Sequence, residues 1–240
     1  MHAIKTMGLT KDYKDVRAVD GLDLEVGQGE LFGLLGINGA GKTTTIKMLT
    51  CLTRPTAGDA EVGGYSITRE PEKVKGLIGV SPQETAVAPN LTVEENLALI
   101  CGIHGFSKGK TRKKIEELTG LFDLEPMLKR RAGKLSGGWQ RRVSIAMALI
   151  SEPEILFLDE PTLGLDVIAR QDLWDLIRAL KGKVTIILTT HYMEEAEALS
   201  DRIGIMTEGR LLAVGTPKEL KRNHENFESA FIAIVKEGRV

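Results

Sequence analysis

The 240-residue sequence predicts an α/β fold: a mainly parallel sheet, an antiparallel β-subdomain ahead of it and a helical subdomain inserted into it. Three observations point there. Four short runs, 31–36, 77–81, 154–159 and 184–189, are almost continuously apolar, as strands covered on both faces must be. Helical patterns at 42–52, 144–150, 168–180 and 193–199 alternate with them, as crossovers between parallel strands require. Between residues 91 and 135 strand signals vanish, and helical spacing at 93–103 and 110–122 marks an insertion spanning about residues 91–150.

Taken in chain order, 3–13 and 16–26 read as antiparallel strands, and 60–67, after Gly58, adds a third. The alternating strands and helices of the core follow, interrupted by the insertion. Residues 202–206 and 210–214 form a hairpin through Glu208-Gly209. Short helices at 217–222 and 227–236 belong to a closing tail, 217–240. With no repeat and no linker, residues 1–240 are expected to form one domain.

Composition narrows the function. At 42% hydrophobic and 27% charged residues the chain has a globular mix and is not intrinsically disordered. A formal net charge of −1 and only 5% aromatic residues deprive it of the positive field and stacking platforms of a nucleic-acid binder, so no nucleic-acid partner is expected. Cys51 and Cys101 are too few for a disulfide framework and lack metal-ligand spacing, and read as reduced thiols in a cytosolic protein. The start of the chain lacks the apolar stretch of a secretory leader. The longest apolar runs fall far short of the roughly 20 residues a membrane-spanning helix needs, so a membrane role would come through a partner.

The chemistry begins at Gly36-Ile37-Asn38-Gly39-Ala40-Gly41-Lys42-Thr43, a G-x-x-x-x-G-K-[ST] pattern between a predicted strand and a predicted helix. Glycines let successive N–H groups turn inward, and the helix start adds partial positive charge. Lys42 can reach outer phosphates, and the Thr43 hydroxyl can ligate Mg²⁺. With Thr44 following, this makes the core that of a P-loop NTPase.

Ile155-Leu156-Phe157-Leu158-Asp159-Glu160 is a buried strand ending in two acids. Such a pair can simply terminate a strand. Beside a phosphate loop, Asp159 becomes a candidate Mg²⁺ ligand and Glu160 a candidate for polarising water. His191 ends the strand at 185–190, where its imidazole could donate to a phosphate. Gln83 follows the strand at 77–81. It reads equally as a solvated loop residue or as a contact to Mg²⁺ or the attacking water. In Leu135-Ser136-Gly137-Gly138-Trp139-Gln140, Ser136 suits a helix cap, and Gly137 and Gly138 bare backbone donors at a helix start, with the helical run read as beginning near Arg141. One phosphate loop with two phosphate-ready helix starts invites a second subunit.

At this point the sequence resembles the ATP-binding cassette family, the nucleotide-binding subunits of ABC transporters, over essentially its whole length. Six elements stand in family order: Gly36 to Thr43 as Walker A, Gln83 as the glutamine loop, 135–140 as the signature, 155–160 as Walker B, Gly164-Leu165-Asp166 as the D-loop, and His191 as the switch histidine. Tyr13 stands where the family stacks an aromatic residue on adenine, although such a residue also serves as strand-end packing. The resemblance implies two cassettes head to tail, with ATP and Mg²⁺ held between one phosphate loop and the partner's Ser136, Gly137 and Gly138. It implies in-line attack of a water oriented by Glu160 and His191, with Lys42 and the opposing signature offsetting charge on the γ-phosphate. It places the subunit at the cytoplasmic face of the membrane, docked through the helical insertion on transmembrane permease subunits.

Two departures from the family pattern are Trp139, where the common signature has Gln, and Val167, where many relatives have Pro. His191-Tyr192-Met193-Glu194-Glu195-Ala196-Glu197, Asp201-Arg202-Ile203, Gly215-Thr216-Pro217 and the tail 226–231 are similar to the subgroup serving drug, sodium and polysaccharide exporters, and are also ordinary helix and hairpin content. Basic clusters at 108–114, 129–131 and Arg141-Arg142 read as solvated faces, with a permease or anionic headgroups as the alternative. The rival reading is a soluble cassette ATPase of the chromosome or repair type. Its long coiled-coil arms do not fit the short, heptad-free interval between Gln83 and the signature. A translation-associated protein with two cassettes, a P-loop kinase or a GTPase explains the sequence less well still.

Overall fold

The computed structural model describes residues 2–238; positions 1, 239 and 240, which bound the expected domain and its tail, lie outside the described residues. The chain opens with β1 (His2–Tyr13), β2 (Val16–Leu22), β3 (Glu25–Gly27) and β4 (Leu31–Leu35), then α1 (Lys42–Leu49). It continues through β5 (Ala57–Val62), β6 (Tyr65–Ser66), α2 (Pro71–Leu77) and β7 (Ile78–Ser81). The insertion carries α3 (Val93–Ile103), α4 (Lys108–Leu121) and α5 (Gly137–Ala148). Then come β8 (Ile155–Asp159), α6 (Val167–Leu180), β9 (Thr185–Thr190), α7 (Met193–Leu199), β10 (Arg202–Thr207), β11 (Arg210–Gly215), α8 (Pro217–Leu220) and α9 (Phe227–Glu237).

Two sheets result. An antiparallel sheet in the order β2-β1-β5-β6 has β3 also paired to β1, and a six-stranded sheet runs β11-β10-β4-β9-β8-β7, parallel except for β11. The second sheet explains why its central strands are apolar at every position. In β8, Leu156 and Leu158 join a core with Leu97, Phe122 and Val143 of the insertion, while Ile155 and Phe157 join the opposite core with Phe32, Ile46 and residues of the antiparallel sheet. Side chains alternate faces along a strand, so a strand between two cores needs hydrophobes on both. A third cluster packs Phe227 and Phe231 of α9 against Ile203 and Ile205.

Several boundaries differ from the sequence expectation, each for a local reason. The stretch 16–26 is two strands, because the buried Thr6 hydroxyl donates to Leu22 O (2.7 Å) and accepts from Leu24 N (2.7 Å) across the break. The stretch 60–67 is the β5–β6 hairpin, turned at Gly63 and Gly64, both at positive φ. Leu77 ends a helix that the sequence reading missed, α2, which starts on Pro71 where a missing N–H costs nothing. Helix α1 stops at Leu49, with Cys51 at φ 58, rather than at residue 52. Helix α5 starts at Gly137, not near Arg141: glycine is tolerated in a first turn, whose N–H groups have no intrahelical partner anyway.

The double-faced burial of β8 makes its centre sensitive. Phe157 is fully buried, and Phe157→Ala should lower stability by about 3–5 kcal/mol in urea denaturation. A loss below about 1 kcal/mol would mean that the two cores do not depend on this strand.

Candidate functional site

In the parallel sheet Leu35 of β4 pairs with Thr190 of β9, Asp159 of β8 with Thr189, and Ser81 of β7 with Leu158. The residues that leave these strands, Gly36, His191, Glu160 and, two further on, Gln83, therefore emerge along one sheet edge. A cleft of about 720 Å³ opens there, lined by Asn38 to Thr44, Gln83, Glu160 and His191. The strand order was not foreseen: β9 lies between β4 and β8, so Asp159 meets the phosphate loop across an intervening strand.

The loop is built by its glycines. A Cβ on Gly36 would come within 2.3 Å of Met206 O, and one on Gly41 (φ +102) within 2.4 Å of Ala18 O. Only glycine lets the chain pass so close to its neighbours and still turn. Helix α1 begins there with no side-chain cap and no acid in its first turn, leaving its positive end to the cleft. Among the described helices of eight or more residues only α5 shares this; α3, α4, α6 and α9 are all capped by side chains. Ser136 holds the cap position of α5 as expected, but its hydroxyl makes no capping bond.

Lys42 is buried, and its ammonium donates to Gly36 O (2.8 Å) and Ile37 O (3.2 Å) and lies 3.4 Å from Glu160 Oε1. The other Glu160 oxygen is 3.0 Å from His191 Nδ1. Glu160 sits at φ 47, unusual for a residue with a side chain, and is held there by its N–H donating to both Thr189 O and Thr189 Oγ1 at 3.1 Å. The Thr189 hydroxyl in turn donates to Asp159 Oδ1 through a short bond, and Thr43 Oγ1 lies 3.3 Å from the same oxygen. Thr189, inside an apolar run, carried no sequence signal for this role. Arg17 and Glu208, which also line the cleft, were missed as well, since turn composition does not say what a turn faces.

Lys42, Thr43, Thr44, Gln83, Asp159, Glu160 and His191 are thus brought together. Five expected residues are not. Tyr13 is exposed at the β1–β2 hairpin end; its partner Val16 lines the cleft and Tyr13 does not. Asp166 caps α6, accepting from Ile168 N (3.0 Å) and Ala169 N (2.9 Å). Ser136, Gly137 and Gly138 lie at the start of α5, outside this cleft. Trp139 packs beside them, with the Arg142 guanidinium 4.8 Å from its ring centre.

A phosphate-binding helix start with a buried lysine, facing a carboxylate held against an imidazole, defines a P-loop nucleoside triphosphatase. The family model for the ABC transporter matches residues 19–163, more than half of the chain, and the chain belongs to this family as an ATP-binding, ATP-hydrolysing subunit. It is 46% identical over 220 residues to the daunorubicin/doxorubicin resistance ATP-binding protein of Streptomyces peucetius, covering 91% of this chain and 67% of that one. It is 44% identical over 212 residues to the Nod factor export ATP-binding protein I of Burkholderia pseudomallei, covering 88% of this chain and 69% of that one. A dimeric, post-hydrolysis ATP-binding cassette bound to ADP and Pi superposes with TM-score 0.80 at 28% identity, covering 89% of this chain and 98% of that one. The ATP-binding subunit of another ABC transporter gives TM-score 0.85 at 29% identity, covering 97% and 99%. Subunits of this family dimerise and work with transmembrane permeases, and among the described residues no helix is long and apolar enough to cross a membrane.

Beneath the cleft Glu195 is fully buried, accepting from Thr162 Oγ1 (2.8 Å) and Trp174 Nε1 (3.0 Å) on one oxygen while the other has no partner. Burial pushes its carboxyl above the ordinary 4.5, against the donors Thr162 and Trp174, which favour the charged form. A raised folded-state pKa means the native protein binds this proton more tightly than the unfolded chain. The stabilisation is complete below about 4.5 and is lost as pH rises through the folded-state value. Glu195→Gln should therefore be more stable relative to the wild type at pH 8 than at pH 5 in urea denaturation; a constant difference would remove Glu195 as a source of pH dependence.

Proposed function

We propose that this chain powers an ABC exporter, acting as one of two identical cassettes held by permease subunits at the cytoplasmic face of the membrane. The observation that carries the mechanism is the placement of Glu160, buried against Lys42 and His191 at the edge of the phosphate loop. Phosphates bound along Gly36, Asn38, Gly39, Ala40, Gly41, Lys42, Thr43 and Thr44 take hydrogen bonds from loop and helix N–H groups. Lys42 turns from Glu160 to the outer phosphates. The released carboxylate orients a water for in-line attack, and His191, held by Glu160 through Nδ1, offers its other ring nitrogen to the γ-phosphate. Gln83 contacts the attacking water or the metal from the opposite wall.

The donor set fits magnesium. Thr43 and Asp159 place hard oxygens 3.3 Å apart, and no group of three or more His, Cys, Asp or Glu among the described residues is placed to hold a metal alone. Mg²⁺ characteristically takes one or two protein oxygens and completes its shell with phosphates and water. When bound, it neutralises charge on the β- and γ-phosphates.

The second cassette supplies what one chain lacks. The uncapped start of α5 gives Ser136, Gly137 and Gly138 free rein to bind a phosphate on the opposing copy. Exposed Leu163, Val167 and Ile168 beside Asp166 form an apolar face suited to that contact. Tyr13, on the hairpin next to the cleft, stacks on the adenine. Export is favoured by the drug-resistance and Nod factor export functions named for two relatives, together with the exporter-like stretches around His191 and Thr216. A soluble cassette ATPase is disfavoured because the interval from Gln83 to Ser136 holds two helices of 11 and 14 residues and no long arm.

Glu160→Gln should retain ATP, form a stable ATP-bound dimer and lose turnover at least about 100-fold. Tagged and recovered from solubilised host membranes, it should bring a polytopic membrane chain in near-equal amount. Normal hydrolysis would remove Glu160 from its role, and recovery of soluble partners alone would exclude transport. Ser136→Arg and Lys42→Ala should each abolish turnover when assayed singly. Mixed, they should recover about a quarter of it, since half the dimers would be hybrids with one intact site of two; full activity of either variant alone would refute the shared site.

A further inference from the structure

Arg141 lies one turn into α5, 5% exposed, and makes no hydrogen bond to a carboxylate. Its Nη1 donates to Pro82 O and its Nη2 to Gln83 O, both at 2.6 Å. These carbonyls belong to the segment that leaves β7 for the cleft, where no sheet or helix partner takes them. A planar guanidinium matches two consecutive carbonyls, whereas an ammonium presents a single point charge. Burial opposes the charge, which Asp159 and Glu195 support from a distance. The same helix makes two more contacts to that segment: Ser144 Oγ is 2.9 Å from Ser81 Oγ, and Gln140 accepts from Thr85 Oγ1 at 3.4 Å. Positions 140, 141 and 144 thus stitch α5 to residues 81–85.

We propose that Arg141 is a positioning residue for ATP hydrolysis, which fixes Gln83 in the cleft and makes the Gln83 loop and the helix start at Ser136, Gly137 and Gly138 move as one body. The inference rests on the reading of Gln83 given above. Its consequence is a coupling within one chain: engagement of α5 by a phosphate on the opposing copy is delivered through the Arg141 fork to the glutamine of this chain's own cleft. Arg141 does not line that cleft, so it acts only through the loop it holds.

The test is a cycle of Gln83→Ala, Arg141→Met and the double variant in the full chain. It reads phosphate release at saturating ATP, ATP affinity, and hydrogen exchange at residues 83–88. Arg141→Met should lower kcat about tenfold, leave ATP affinity within about twofold, and speed exchange at 83–88 but not in β8. The double variant should be no slower than Gln83→Ala, because an effect transmitted through Gln83 cannot be lost twice. Arg141→Lys should fall between wild type and Arg141→Met, and it carries the same comparison if Arg141→Met does not fold. Losses that multiply in the double variant, or unchanged exchange at 83–88, would overturn the proposal. Wild-type kcat in Gln83→Ala would instead overturn the role of Gln83, and exchange at 83–88 in the Arg141 variants would still decide the tether.

Discussion

The register among β4, β9, β8 and β7 is the constraint on which the site depends. These strands are covered on both faces, so a slip of one residue would move every side chain into the wrong core, and the sheet is held to a single alignment. That alignment sets Gly36, His191, Glu160 and the Gln83 loop at one edge. It also places Thr189 where one hydroxyl serves both Asp159 and the backbone of Glu160. The positive φ of Glu160 is a consequence: the chain must turn sharply off β8 to present its carboxylate to Lys42 and His191.

Five ionisable side chains lie buried at or beneath the cleft: Lys42, Asp159, Glu160, Arg141 and Glu195. Each loses hydration, and each is compensated differently. Lys42 and Glu160 face one another with 4% and 9% of their side chains exposed. Asp159 takes hydroxyls, Arg141 takes carbonyls, and Glu195 takes a hydroxyl and an indole N–H while one oxygen goes without a partner. In the proposed mechanism a phosphate entering the loop displaces Glu160 from Lys42 and releases the carboxylate assigned there to the water. In that mechanism the Lys42–Glu160 ion pair links occupancy of the loop to the readiness of Glu160.

Capping chemistry divides the longer helices into two sets. Among the described helices of eight or more residues, α3 and α9 close themselves with capping boxes, α4 with Ser107 and α6 with Asp166, while α1 and α5 stay open. An open start is less stable alone but free to bind an anion. The start of α1 lines this chain's cleft and that of α5 does not, the asymmetry on which the proposed head-to-tail pair of cassettes rests. Arg141, one turn into α5, ties that helix to the segment carrying Gln83.

The phosphate loop, the buried acidic strand and the histidine at a strand end were legible because their signals are local. Glycine at a forced φ, a helix start within a few residues, and an unbroken apolar run ending in Asp159-Glu160 all act within one turn or one strand. The hairpin at Glu208-Gly209 was legible for the same reason, whereas α2, short and opened by Pro71, has no such pattern. The position of β9 between β4 and β8, the joint use of Thr189, the burial of Glu195 against Trp174 and the grip of Arg141 on Pro82 and Gln83 were decided only by the tertiary structure. The side-chain contacts among them join residues 21 to 59 positions apart, and their partners are chosen by how two hydrophobic cores close on one sheet, which no local run of residues encodes.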